Sequence, residues 1–238
     1  MDINNDILQE LVTANRILAL EGIVDAYGHV SIRHPSRPDR YILSQSRAPD
    51  LVDVIDLMEY TLEGEPIDQQ GRTMYSERPI HGGIYEARDD VLAVVHNHST
   101  TVVPFTVTDT PLKPMFHLAA IIGYELPVWD IRDNFGDTTM LVTTMEQGRD
   151  LAQCLEDRRV ALMRGHGCVI AGKSVREVVM ASVYLQVNAG LLLDSLGLGE
   201  VKYLTQGEVE LMTEGQMRPT SQDRAWEYWA NRAGRGDI

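Results

Sequence analysis

The chain alternates between stretches with a helical apolar stripe and short, nearly continuous apolar runs. From Asp6 to Glu21, Ile7, Leu8, Leu11, Val12, Ile17 and Leu18 form a stripe that predicts a helix stopping at Gly22. Val30–Arg33 and Tyr41–Ser44 read as strands, and Pro35, Ser36, Pro38 and Asp39 between them predict a hairpin turn. Arg78 to Ala87 reads as a helix with Pro79 in its first turn, followed by the apolar run Val91–Val95. A second apolar run, Val160–Met163, ends at Gly165. Thr144 with Gln147, and Ser174 with Glu177, match capping boxes and predict helices over about 145–157 and 175–196. A last helix over about 222–232 carries Trp226, Tyr228 and Trp229. No linker, repeat or low-complexity segment interrupts this order, so we expect one domain over 1–238, with 221–238 as a helical tail.

Chemistry gathers at three places in this pattern. His96 and His98 close the run that begins at Val91, and residues i and i+2 of a strand point to one face, so both rings can reach one ion. His166 stands between Gly165 and Gly167, where a strand gives way to a tight turn, and Glu77 follows Ser76 at a helix start. Three imidazoles with an open position are the layout of a catalytic metal site; ordinary strand-end histidines are the alternative on spacing alone. By itself, a Glu at a helix start is explained by the macrodipole.

Composition narrows the setting. With 238 residues and 44% hydrophobic content, the chain can bury a core as one domain. No run approaches the ~20 apolar residues of a membrane span, and Met1–Asp6 is acidic where a signal peptide is basic, which predicts a cytoplasmic protein. Cys154 and Cys168 lack CxxC partners and read as reduced thiols. A net charge of −14 argues against nucleic acid and anionic membranes as partners. An anionic small-molecule substrate therefore needs local positive charge, from a metal ion and nearby arginines.

Four motifs in order carry a resemblance: Tyr27-Gly28-His29-Val30-Ser31-Ile32-Arg33; Ser76-Glu77 with His81; His96-Asn97-His98-Ser99; and Arg164-Gly165-His166-Gly167-Cys168. Over roughly residues 5 to 200 the chain resembles the class II aldolase/adducin family. The resemblance implies an α/β fold, an α/β/α sandwich around a central, mostly antiparallel sheet, assembled as a homotetramer with active sites at subunit interfaces. It makes His96, His98 and His166 ligands of a divalent metal, with Glu77 as the acid/base. Zn or Mn is expected, and Fe or Co also suits such a donor set.

The departures from the family's sugar-phosphate aldolases shape the expected function. Where those enzymes cradle a phosphate, this chain has Gly28-His29, Ser44-Gln45-Ser46-Arg47 and Tyr75-Ser76-Glu77, so that rings occupy space a phosphate needs. The combination resembles the branch that decarboxylates hydroxylated aromatic or ring-cleavage dicarboxylates, such as hydroxymethylpyridine-dicarboxylate and dihydroxyphthalate. Aldol cleavage and decarboxylation share one demand, stabilisation of the enolate left when a carbon–carbon bond breaks. Glu77 then returns a proton to carbon.

His29, Ser44, Arg47 and Ser76 form the expected substrate-binding wall, with His117 and Tyr228 as candidates from elsewhere in the assembly. Each has a plainer reading: His29 a bonded loop residue, Arg47 a surface cation, His117 structural, and Tyr228 packed beside the tryptophans. His81 reads as a partner of the site or a core-edge helix residue, Arg164 as a brace of the His166 turn, and His34 as an exposed loop residue. Two rivals remain: an aldolase or epimerase on an unphosphorylated hydroxy-carbonyl compound, and a non-catalytic, adducin-like assembly protein.

Overall fold

The computed structural model describes residues 3–236; the outermost residues of the expected domain, Met1, Asp2, Asp237 and Ile238, lie outside this range. The strands are β1 (His29–Arg33), β2 (Arg40–Ser44), β3 (Leu57–Thr61), β4 (Ala93–Asn97), β5 (Val128–Trp129), β6 (Val160–Met163) and β7 (Gly167–Gly172). The helices are α1 (Asn5–Leu20), α2 (Arg78–Ala87), α3 (Val103–Thr106), α4 (Arg132–Phe135), α5 (Met145–Leu155), α6 (Val175–Leu196), α7 (Gln206–Gln216) and α8 (Pro219–Arg232). The strands form one sheet in the order β3-β2-β1-β4-β7-β6-β5, antiparallel throughout except for the β5–β6 pair.

Strand alternation divides the core into two layers. Val30, Ile32, Ala93, Val95, Leu162 and Ile170 pack with α1, α6 and α8 on one side. Tyr41, Leu43, Val94, Ala161, Val169 and Ala171 pack with α2 and α5 on the other. The result is the expected α/β/α sandwich.

The hairpin, α1, α2 and α6 stand where the apolar pattern puts them. His34 does not match its exposed reading. It is buried, and its Nδ1 accepts the backbone N–H groups of Ser36 and Arg37, both at 3.1 Å, folding the ring over the hairpin turn. Thr144 and Gln147 form a complete capping box at the start of α5. The box at Ser174 is half made: Ser174 accepts the Glu177 N–H, whereas the Glu177 carboxylate is engaged by Arg159 and by the Lys173 N–H. The terminal helix begins at Pro219, earlier than expected, because Pro suits the first helical turn.

Contrary to the expected lack of any spanning stretch, α6 is long and apolar enough to cross a membrane by length and composition. Of its most apolar stretch, 56% is buried inside the sandwich. Cys154 and Cys168 are both free thiols.

Candidate metal centre

The sheet and α2 deliver the four expected residues to one point. On β4, Val94 and His96 share a face, so the apolar alternation that buries Val94 under α2 also aims His96 at the start of that helix. Its Nδ1–H donates to the Cys168 carbonyl at 3.1 Å, which leaves the Nε2 lone pair facing the centre. His98 follows one residue beyond the strand. Asn97 fixes that turn, its Oδ1 accepting from the Ser99 N–H at 3.1 Å and the Cys168 thiol at 3.4 Å. Burial pushes the Cys168 thiol up to about 12, so it remains a donor.

His166 is set by the turn between β6 and β7. Gly165 has φ +62°, a conformation that L side chains rarely adopt, and a Cβ on Gly167 would lie 2.1 Å from the Asn97 carbonyl oxygen. The two glycines therefore let the turn close directly against the His98 loop. Arg164 Nε lies 2.8 Å from Asp130 Oδ2, in keeping with a brace for this turn.

The three Nε2 atoms converge: His98 Nε2 is 3.0 Å from that of His96 and 3.0 Å from that of His166. Glu77, the N-cap residue of α2, makes no capping bond with its side chain. Its carboxylate instead reaches to 3.6 Å from both His96 Nε2 and His166 Nε2, and all four ligand atoms lie within 4.8 Å of one another. Lone pairs pressed this close repel unless a cation lies between them, so the donor set and its chemistry fit a divalent metal. Burial together with His96 and His166 lowers His98 to about 4, keeping it neutral and able to ligate. Burial pushes the Glu77 carboxyl up, but the adjoining His166 and His96 rings outweigh it and hold the group below its ordinary range.

A cavity of about 370 Å³ opens beside this centre, lined by His29, Arg47, Tyr75, Ser76, Glu77 and His98 among others. Tyr75 spans its wall, donating to the Arg47 carbonyl and accepting from Ser44 Oγ at 3.4 Å. Ser44 is thus buried behind Tyr75. Arg47 borders the cavity, but its guanidinium is already paired with Asp56 at 2.7 Å. His117 and Tyr228 do not line the cavity of this chain. His117 begins a 3-10 turn (His117–Ile122) under α7, and Tyr228 is 60% exposed on α8, stacked by Arg232. His81 is fully buried and bonded to His29. Ser31 and Tyr85, which extend that contact, were not singled out from the sequence. Their signal is the four-residue spacing of Glu77, His81 and Tyr85 on α2 opposite His29 and Ser31 on β1.

The family model for the Class II Aldolase and Adducin N-terminal domain matches residues 9–193, and the chain belongs to this family. It is similar to decarboxylase tropJ of Talaromyces stipitatus, 29% identical over 253 aligned positions that cover 97% of this chain and 95% of that protein. It is also similar to the 3,4-dihydroxyphthalate decarboxylase of Arthrobacter keyseri, 26% identical over 201 positions, 80% of this chain and 79% of that one. Among solved structures, an aldolase II superfamily protein from Pseudomonas syringae superposes with a TM-score of 0.82 at 19% identity, covering 99% of this chain and 94% of that chain. This family, these decarboxylase relatives and a His/Glu cluster that could hold a metal support an enzyme, a carboxy-lyase.

Proposed function

We propose that the enzyme is a divalent-metal-dependent decarboxylase of a hydroxylated aromatic or ring-cleavage dicarboxylate, with Glu77 as the group that moves a proton to carbon. The observation that carries this reading is the Glu77–His96–His98–His166 cluster opening onto a cavity where His29 and Tyr75 stand in place of a phosphate cradle. The decarboxylase relatives support the reaction class.

When bound, Zn or Mn supplies positive charge where negative charge develops as the carbon–carbon bond breaks. Glu77 is held ionised and is therefore a base in the resting site. It takes the proton of the substrate's ortho-hydroxyl and hands it to the ring carbon bearing the departing carboxylate. The ring is then a ketone with the carboxylate β to its carbonyl. When CO₂ leaves, the electron pair of the broken bond returns to the ring oxygen, which regains a proton from solvent. Arg47 and His29 offer the wall for the second carboxylate, Arg47 with its fork preset by Asp56. A homotetramer with sites at subunit contacts, in the cytoplasm, belongs to the same reading. There His117 and Tyr228, outside this chain's own cavity, become candidates for a neighbour's site.

The test is CO₂ release from ortho-hydroxy aromatic dicarboxylates and hydroxymuconate-type acids with added Mn²⁺ or Zn²⁺, the product being followed by NMR in D₂O. Metal-dependent CO₂ with deuterium at the vacated carbon is expected. Aldehyde release from hydroxy-keto acids, with no CO₂ from any acid in the panel, returns the chain to the aldolases.

A further inference from the structure

Behind the cavity wall a line of buried polar groups runs away from the metal centre. β1 directs His29 and Ser31 to one face, two residues apart, and α2 directs His81 and Tyr85 to meet them, four residues apart. The groups interleave. His29 Nδ1 lies 2.6 Å from His81 Nε2, His81 Nδ1 lies 2.6 Å from Ser31 Oγ, and Ser31 Oγ lies 2.8 Å from the Tyr85 hydroxyl. All four side chains are buried, Ser31, His81 and Tyr85 completely.

Each contact holds one hydrogen, so a direction fixed at one end propagates to the other. The closed end fixes it. Among the described residues, Ser31 Oγ is the hydrogen-bond partner of the Tyr85 hydroxyl, and burial raises that phenol so that it keeps its proton. A buried hydroxyl hydrogen without an acceptor forfeits its hydration with nothing in return, so Tyr85 donates to Ser31. Ser31 then has one hydrogen and one acceptor left, His81 Nδ1. His81 is completely buried and His29 nearly so, and among the described residues no carboxylate is hydrogen-bonded to either ring, so both rings are neutral. A neutral His81 that accepts at Nδ1 carries its hydrogen on Nε2 and donates it to His29 Nδ1. A neutral His29 that accepts at Nδ1 carries its own on Nε2. Reversing any link strands a hydroxyl hydrogen in the core. Among the described residues the side-chain hydrogen bond of His29 runs through Nδ1, and the ring borders the cavity, where Nε2 is left for a ligand.

We propose that Tyr85, Ser31 and His81 form a one-way hydrogen-bond chain that holds His29 as the Nε2–H tautomer, a fixed donor to an anionic oxygen of the substrate. Ser31, His81 and Tyr85 act as positioning residues, and His29 is the contact. That the oxygen belongs to the second carboxylate of a dicarboxylate rests on the function proposed above; the direction of the chain does not. The arrangement selects substrates as well as binding them. A group that can only donate, such as an amine or ammonium, meets a donor there, which it cannot satisfy.

Two measurements on the zinc-loaded protein test this. The first is the long-range ¹H–¹⁵N correlation pattern of histidine-labelled protein, with His29 assigned by loss of its signals in His29→Asn. Hydrogen on Nε2 is expected in the wild type, and Ser31→Ala is expected to give a mixture of His29 tautomers, a change that loss of packing alone does not produce. The second is calorimetric binding of phthalate as a probe. His29→Ala is expected to weaken it by tenfold or more, the fold-change that loss of a hydrogen bond to a charged group brings, with zinc still bound. A wild-type His29 protonated on Nδ1, or a tautomer indifferent to Ser31→Ala, overturns the chain. Failure of the wild type to bind phthalate, with the Nε2–H tautomer in place, overturns the dicarboxylate reading and leaves the chain standing.

Discussion

The backbone N–H of Val142 donates to Glu77 Oε1 at 3.0 Å, across 65 residues of sequence. This bond fixes the carboxylate so that Oε1 faces His166 and Oε2 faces His96, each at 3.6 Å. A glutamine at this position can still accept from Val142, but its amide neither takes nor returns a proton. Glu77→Gln is therefore expected to fold and to bind metal, measured by elemental analysis, while CO₂ release falls by ~10²-fold or more. Unchanged turnover removes Glu77 from its role.

His166 allows the cleanest test of the metal. Among the described residues its Nδ1 has no partner, and its ring is presented by the turn between Gly165 and Gly167 rather than by core packing. His166→Ala should thus disturb the fold little and the cation strongly. Wild-type protein with zinc at 100 times its Kd gains about 2.7 kcal/mol, seen as a raised Tm, and loses it to a chelator. The variant should melt near the metal-free wild type and show no zinc response. An equal zinc response in both removes His166 from the ligand set.

The four clustered residues were legible because each rides on a strong local pattern: His96 and His98 on strand alternation, His166 on flanking glycines, and Glu77 on the start of a Pro-marked helix. The sandwich was legible for the same reason, through the stripes of α1 and α6 and the runs of β4 and β6. What escaped had weak apolar signals. β5 is two residues long, and α7 buries only Val209 and Gln216, so neither shows a period. The Ser31–His81–Tyr85 line is polar in a core-facing position, where a hydrophobic pattern registers only a gap. His34 was misread because a ring that caps its own hairpin leaves no periodic trace.

Asp56 links acid stability to the cavity wall. Burial pushes its carboxyl up, but the Asp53 N–H and the side chains of Gln45 and Arg47 outweigh this and lower it below its ordinary value. A carboxyl depressed in the folded state contributes stability that is present above its unfolded value and lost as pH falls through the folded one. Wild-type Tm should therefore drop as pH falls through and below the ordinary carboxylate range, and Asp56→Asn should flatten that limb while lowering Tm at neutral pH. Freed from Asp56, Arg47 is also expected to raise KM for dicarboxylates more than it lowers kcat. An acid limb of unchanged steepness in the variant refutes the assignment.

Gly167 couples the fold to the candidate metal centre through its close approach to the Asn97–His98 backbone. Cys168, its neighbour, pairs with Asn97 across β4 and β7, and an added Cβ at Gly167 meets the Asn97 oxygen at 2.1 Å and the His98 Cα at 3.1 Å. Neither obstacle is a flexible side-chain end; both are backbone, so Gly167→Ala must push the β7 turn away from the His98 loop. Overpacking of this kind costs about 1–3 kcal/mol. Because the displaced segments carry His98 and His166, the same substitution separates two Nε2 atoms that now lie 3.0 Å apart. The expected result is a lower Tm together with weaker zinc binding in a calorimetric titration. Gly207→Ala, in α7, where the added Cβ meets open space among the described residues outside its own helix turn, serves as the comparison and should leave zinc affinity unchanged. A Gly167→Ala protein that loses stability but binds zinc as tightly as the wild type would show that the turn supports the fold without setting the spacing of the ligands.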